Sequence, residues 1–244
     1  MTIYNEVDFV EYAIKSCLPY VDNLVIVEGA YQEVIKLGKS PRSEDGTIKI
    51  IEKYLDDTKV HFIQANGQTD KDQRNIGLEK IKELKSDWLL IIDGDEYASY
   101  NFQMVRNYCN LMERESKKVC YFQSLTFVNS CDFFCFQKFP RLFKIELGCK
   151  FVNDNYMKYE KLPLFGNHII ENMNIKYHHY SFLKGREKFE QKRNWWINRG
   201  FGKDFDYGWK MDENGIISDK KHRIFKYQGK HPKLIEELFV HGKV

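Results

Sequence analysis

The chain has no apolar run approaching the roughly 20 residues that span a bilayer, no Cys-x-x-Cys pair, no block of like charge, no internal repeat and no low-complexity tract. Each absence removes a class. Without an apolar run no transmembrane segment is expected. The start, Met1-Thr2-Ile3-Tyr4-Asn5-Glu6, is acidic early and lacks a basic region ahead of an apolar stretch, so it does not read as a secretory signal. The expected compartment is the cytoplasm, with peripheral contact at the inner face of a membrane left open. The six cysteines (Cys17, Cys109, Cys120, Cys131, Cys135, Cys149) lack zinc-site spacing and lie mostly in apolar segments, so they read as reduced, buried thiols. The 38 Lys and Arg exceed the 35 Asp and Glu only slightly, net charge +3, with no basic arm. Nucleic acid is therefore not an expected partner.

What the sequence does contain is a rhythm. At 244 residues it is long enough for a sizeable core, and one compact domain with two subregions is the expectation. Up to about Tyr97, short apolar runs alternate with longer amphipathic ones, the pattern of βαβ units. Strands are expected at Thr2–Tyr4, Leu24–Glu28, Val60–Ile63 and Trp88–Asp93, and helices at Glu6–Cys17, Thr47–Leu55 and Asp72–Leu84. Gly29–Ser43 is long for a strand-to-helix connection, and long loops at strand C-termini often carry function. After a helix at Phe102–Glu115 the texture becomes aromatic, with strands at Val119–Val128, Phe133–Phe139, Leu142–Lys144 and Ile175–Tyr180. Helices are expected at Arg186–Ile197 and Pro232–Phe239.

The chemistry centres on Asp93-Gly94-Asp95-Glu96, which follows the apolar strand Asp87–Ile92. Ligands bind beyond the carboxyl ends of strands in open α/β sheets. Two aspartates one residue apart can share a hard divalent cation whose shell is completed by phosphate oxygens, and such an ion stabilises a diphosphate leaving group. A bare Asp-x-Asp is more often an ordinary acidic turn than a metal site, so its neighbours matter.

Those neighbours resemble the nucleotide-binding half of family-2 glycosyltransferases of the GT-A fold. Met1–Glu6 is similar to the opening strand whose Thr and Tyr hold a uracil ring, which implies Thr2 and Tyr4 at the base. Val25-Ile26-Val27-Glu28-Gly29 resembles the second strand, whose acidic end, here Glu28, bonds the pyrimidine edge. Ser43-Glu44-Asp45-Gly46-Thr47 looks like the Ser-x-Asp-Gly-Thr element that opens the next helix, with about fourteen residues intervening where simple members have almost none. Gln73-Arg74-Asn75-Ile76-Gly77 resembles the Arg-Asn-x-Gly stretch, which implies that Arg74 reaches the nucleotide. Asp93, Gly94 and Asp95 then take the ribose and metal place, with Asp95 the leading metal ligand, Asp93 a ribose or second metal contact, and Glu96 in support.

Beyond residue 97 the resemblance thins. Pro140-Arg141-Leu142-Phe143 looks like a segment whose arginine faces the cleft, though Arg141 reads equally as a plain strand-surface arginine. Tyr177-His178-His179-Tyr180-Ser181 resembles a strand-end His-Tyr-Ser element whose histidine completes the metal shell, which implies His179; His178 points to the opposite strand face and stays open. Lys184–Lys188, with Arg186, reads as a basic turn for the diphosphate or as a solvated helix start. Trp195, Trp196, Phe201, Phe205, Tyr207 and Trp209 offer sugar-stacking faces or plain core. The family's Glu-Asp pair for the general base is missing after residue 97. Glu171, Asp154 and Asp132 are the candidates carried forward, with Glu160 beside them and Glu171 preferred for its place shortly before the His strand.

The resemblance implies a GT-A (Rossmann-like) α/β fold: a mostly parallel central sheet with helices on both faces, plus an aromatic-rich acceptor-side α+β subregion. Residues 1–97 form the nucleotide-sugar-binding half and 98–244 the acceptor-binding half of one domain. The implied activity is metal-dependent (Mn²⁺ or Mg²⁺), hexosyltransferase-like sugar transfer with inversion. The donor is a nucleotide-diphosphate sugar, most simply a UDP-sugar, and the acceptor a glycan or lipid-linked saccharide. Alternatives are a sugar-nucleotide- or glycan-binding protein with weak turnover and a sugar-phosphate nucleotidyltransferase. The latter usually has a Gly-rich basic loop, which Thr2–Glu6 lacks. A haloacid-dehalogenase-type phosphatase would carry a Thr soon after the second Asp, where this chain has Glu96, Tyr97 and Ala98.

Overall fold

A computed structural model describes residues 1–65, 67–98, 102–183, 190, 194, 210–212, 217–218, 223–233 and 235–236. The chain is α/β and divides into two compact units: 1–123 with 138–177, and 124–137 with 178–244.

The first unit begins with three parallel strands in the order β1 (Thr2–Ile3), β2 (Leu24–Glu28), β3 (Val60–Gln64). Register is explicit: Ile3 pairs with Glu28, and Glu28 with Gln64. Strand β2 is buried along its whole length because both of its faces are covered. Leu24 and Ile26 pack with Val10 and Ile14 of α1 (Val10–Cys17) and Ile51 of α3 (Thr47–Glu52). Val25 and Val27 face the other way, toward Ile81 of α4 (Asp70–Glu83). A five-residue helix, α2 (Gln32–Lys36), stands inside the long Gly29–Ser43 connection.

The remaining strands of the first unit follow a different plan. Strands β4 (Trp88–Leu90), β5 (Glu96–Ala98), β6 (Val119–Val128), β7 (Ser130–Lys144) and β10 (Ile169–Phe182) form a sheet in which β4 runs antiparallel to β7, Trp88 against Lys144 and Leu90 against Leu142. Helix α5 (Val105–Arg114) contributes Val105 and Met112 to the same core as Phe122 and Tyr177. A small hairpin of β8 (Lys150–Phe151) and β9 (Met157–Lys158) completes the unit.

The expectation of a mostly parallel sheet is met in part: β1–β3 are parallel, the larger sheet is mixed and only partly parallel, and Trp88–Asp93, expected as a parallel strand, pairs antiparallel over its first three residues. An apolar run looks the same in either direction, so periodicity could not distinguish them. The expected strands Phe133–Phe139 and Leu142–Lys144 are one strand that continues through Pro140. Helix α1 starts at Val10 rather than Glu6, because Asn5 adopts φ +53° and the Glu6 and Val7 amides are taken by Thr47 and Asp45 side chains. Helix α4 starts earlier than expected because the Thr69 hydroxyl caps it, accepting from Asp72 N–H at 3.2 Å. Of the expected helix Arg186–Ile197 only Glu190 and Asn194 are described, both helical; of Pro232–Phe239, Lys233, Ile235 and Glu236 are helical.

In the second unit, β6 and β7 meet at Asn129 (φ +66°), and β13 (Phe225–Lys226) pairs antiparallel with β7, Phe225 against Phe134. Strands β11 (Lys210–Met211) and β12 (Ile217–Ser218) form a separate antiparallel pair. Phe127 is the hub of an aromatic cluster: it stacks on Tyr180 (centroids 5.0 Å apart, planes 10°) and meets Tyr227 edge-on at 5.1 Å.

Ile26, fully buried between α1 and α3, measures how far β2 carries the first unit. Ile26→Ala is expected to destabilise by about 2–5 kcal/mol, read as a fall in the urea midpoint with an unchanged slope.

Candidate active site

The carboxyl ends of β1 and β2 are knitted together by side chains from the Ser43–Thr47 element. Ser43 Oγ accepts from the Asn5 amide at 2.9 Å, Asn5 Oδ1 accepts from the Glu44 amide at 3.1 Å, and Thr47 Oγ1 accepts from the Glu6 amide at 2.7 Å. Asp45 in turn accepts from the Thr47 hydroxyl at 2.6 Å. Gly46 takes φ +102°, a conformation that suits glycine at the N-terminus of α3. Glu28 is wholly buried at the end of β2. Its Oε1 accepts from the Ser43 amide at 2.8 Å, while its Oε2 has no hydrogen-bond partner among the described residues. Tyr4 donates its hydroxyl to the Ser40 carbonyl at 2.8 Å.

The acidic turn after β4 abuts this edge. A Cβ on Gly94 would lie 3.1 Å from Glu6 Cγ and 3.5 Å from Ile3 Cγ1, so the turn approaches β1 as closely as a glycine allows. Asp93 is held from two sides: Arg74 Nη2 of α4 lies 2.5 Å from Oδ1, and Arg141 Nη2 of β7 lies 3.4 Å from Oδ2. Arg141 also ion-pairs with Glu96, whose other oxygen accepts from the Asp93 amide at 3.0 Å. Arg141 Nε donates to the Tyr177 hydroxyl at 3.3 Å, and the guanidinium lies 5.3 Å and 5.2 Å from the ring centroids of Phe139 and Tyr177. Burial pushes the Asp93 carboxyl up, but the two guanidinium charges outweigh it and hold the group below the usual carboxylate range. Asp95 is buried beside it.

Three contributors had no sequence signal pointing to this role. Tyr31, next to α2 in the long connection, hydrogen-bonds Thr2; burial pushes its phenol up, with Asp70 and Asp93 adding to the rise and Arg74 opposing it. Tyr177 and Phe139, which flank Arg141, were legible only as apolar strand residues. Arg141 was expected to face the cleft; it is 3% exposed and committed to protein carboxylates.

Glu171 is exposed on β10, with Lys138 Nζ 2.6 Å away. Asp154 stands in the turn between β8 and β9. Asp132 is an exposed residue of the second unit whose carbonyl accepts from the Tyr227 amide. His178 and His179, also in the second unit, separate as strand alternation requires. His178 is buried against Phe127 and Tyr227, bonded through Nε2 to the Tyr227 hydroxyl at 3.3 Å, and burial followed by the nearby His231 brings its pKa down to about 3. His179 Nδ1 lies 3.5 Å from Thr126 Oγ1, whose hydroxyl donates to Gln137 Oε1. Arg186 and the aromatic residues Trp195, Trp196, Phe201, Phe205, Tyr207 and Trp209 lie outside the described residues. Among the described residues no group of three or more His, Cys, Asp or Glu side chains is assembled for a metal ion, and no helix is long and apolar enough to cross a membrane.

No protein-family model matches the chain, and no curated protein matches it. Among solved structures it is similar to S. aureus TarS 1-349, at 20% identity and a TM-score of 0.39 over 53% of this chain and 35% of that one. A second S. aureus TarS structure matches at 19% identity and a TM-score of 0.38, over 53% of this chain and 21% of that one. TarS is a glycosyltransferase.

Arg141→Met would strand the buried charge of Glu96 and is expected to cost about 3–5 kcal/mol. Replacing Arg141 and Glu96 together by Met and Leu is expected to cost less, because no unpaired Glu96 charge remains. Urea unfolding of the three proteins checks both.

Proposed function

We propose that the chain is a metal-dependent glycosyltransferase that moves a sugar from a UDP-sugar or related nucleotide-diphosphate donor to a glycan or lipid-linked saccharide acceptor, with inversion. Glu28 carries the reading. A carboxylate buried at the end of a parallel strand, with one oxygen fixed by Ser43 and the other lacking a partner, leaves an acceptor for a base-edge N–H. An unsatisfied buried acceptor otherwise costs about 1–3 kcal/mol. Tyr4, Thr2 and Asn5 stand at the same edge, and Arg74 supplies a cation suited to a diphosphate.

The donor chemistry of Asp93 and Asp95 fits a small hard cation, which takes one or two carboxylates and leaves the rest of its shell to phosphate. Bound there, such an ion would supply Lewis-acid stabilisation of the leaving diphosphate. Glu96 and Arg141 fix the turn that presents both aspartates. His179, with Nδ1 toward Thr126, is proposed as a further ligand through its other ring nitrogen. Arg186 is proposed at the diphosphate. The general base, which takes the acceptor hydroxyl proton, is proposed among Glu171, Asp154 and Asp132. Cytoplasmic location, with contact at the inner membrane face, belongs to the same proposal.

Isothermal titration with UDP and Mn²⁺ tests the donor site. Glu28→Gln is expected to weaken UDP by about 10- to 150-fold, the worth of a hydrogen bond to a charged group, and Asp95→Ala to abolish the metal-dependent part. Undiminished binding by Asp95→Ala, or none by the wild type, sinks the reading. Separately, alanine at the residue acting as base is expected to lower kcat by about 10²–10⁴-fold while leaving UDP affinity unchanged. If none of the three variants does so, all three assignments are wrong.

A further inference from the structure

Asp93 offers two oxygens, and a different arginine holds each. The two arginines are anchored unequally. Arg141 is fixed by Glu96, by the Tyr177 hydroxyl and by the rings on either side of it. Arg74 reaches Asp93 through Nη2 alone, and its buried Nε has no hydrogen-bond partner among the described residues. Arg141 also has one buried nitrogen, Nη1, without a hydrogen-bond partner among the described residues, but its Nε and Nη2 are both bonded, so Arg74, bonded at Nη2, is the arginine with more to gain from a new partner.

We propose that Arg74 is an exchangeable internal counter-ion, neutralising Asp93 until a diphosphate draws it away, so that cation binding and nucleotide binding are coupled through this one side chain. The inference rests on the reading of Asp93 and Asp95 as the cation-holding pair and of the donor as a nucleoside diphosphate. A guanidinium 2.5 Å from Oδ1 takes one of that oxygen's two lone pairs and sets a positive charge against an incoming divalent cation. With Arg74 in place, cation binding at Asp93 works against that charge. A diphosphate offers that charge a better partner: its oxygens match the guanidinium fork and give Nε an acceptor. Arg141, held through Nε and Nη2 by Tyr177 and Glu96, keeps Asp93 and the turn in place while Arg74 exchanges. The coupling is reciprocal, so UDP tightens Mn²⁺ by the same factor as Mn²⁺ tightens UDP.

The test is calorimetric titration of the full chain with Mn²⁺, alone and with saturating UDP, for the wild type, Arg74→Gln and Arg74→Lys. Arg74→Gln is expected to bind Mn²⁺ alone about fivefold or more tightly than the wild type, to bind UDP more weakly, and to show a smaller tightening of Mn²⁺ by UDP. The opposite signs set this apart from simple damage to the site, which weakens both ligands. Mn²⁺ binding by Arg74→Gln that is unchanged or weaker overturns the proposal. Should that variant lack a cooperative thermal transition, Arg74→Lys decides: it keeps the charge but not the fork, so Mn²⁺-alone affinity near the wild type with a smaller tightening of Mn²⁺ by UDP supports the exchange, while undiminished tightening overturns it. Absence of UDP binding by the wild type defeats the donor reading and the exchange onto diphosphate, whereas the Mn²⁺-alone comparison still decides whether Arg74 competes for Asp93.

Discussion

The buried ion cluster around Asp93 is the constraint on which the first unit depends. Two guanidiniums and at least two carboxylates are taken out of water there, and such a group is stable only if its charges are paired and its donors placed. The pairing dictates the architecture. Arg74 requires α4 to pass the carboxyl end of β2, Arg141 requires β7 to run beside β4, and Glu96 must turn back to take the Asp93 amide. The backbone agrees with the charges: the Ile91 amide donates to the Arg141 carbonyl at 2.8 Å, continuing the β4–β7 contact to the edge of the acidic turn. Remove one partner and the others are left as buried charges in a place built around them.

This network explains which parts of the site were legible in the sequence. Local chemistry was. An apolar run ending in Glu28, a Ser-x-Asp-Gly-Thr element, and an Asp-x-Asp after an apolar strand each have a physical reason within a few residues, and the structure joins the first two through the Ser43 amide and Glu28 Oε1. Long-range pairing was not. Glu96 and Arg141 are 45 residues apart, and nothing near Arg141 announces that it will be sandwiched between Phe139 and Tyr177 instead of facing solvent. A Pro-Arg-Leu-Phe segment suits a cleft arginine and a buried one equally, and only the packing of β7 against β10 residues decides.

The direction of β4 was hidden for a similar reason. Trp88-Leu89-Leu90 would sit as comfortably in a parallel ladder as in an antiparallel one, since side-chain burial does not report hydrogen-bond direction. The extended reach of β7, unbroken through Pro140, supplies the antiparallel partner. The long connection after β2 was legible as unusual but not as structured. Its helix α2 is short and lacks a side-chain cap, so the sequence cues that mark α4, with its Thr69 cap, are absent.

The histidine pair shows what alternation can and cannot decide. Adjacent strand residues must face opposite sides, so one of His178 and His179 was bound to enter the second unit's aromatic cluster, but period two is silent on which. Phe127 settles it: the ring stacks on Tyr180 and meets His178 edge-on at 5.3 Å, which places the even-numbered residues of β10 on the cluster side. An imidazole whose charged form is disfavoured by burial belongs among those rings, where it packs as an aromatic with one polar contact to Tyr227. His179 is thereby left on the face that carries Thr126 and Gln137, polar residues on neighbouring strands. His178 is thus the residue the apolar cluster can use, and His179 the one it cannot.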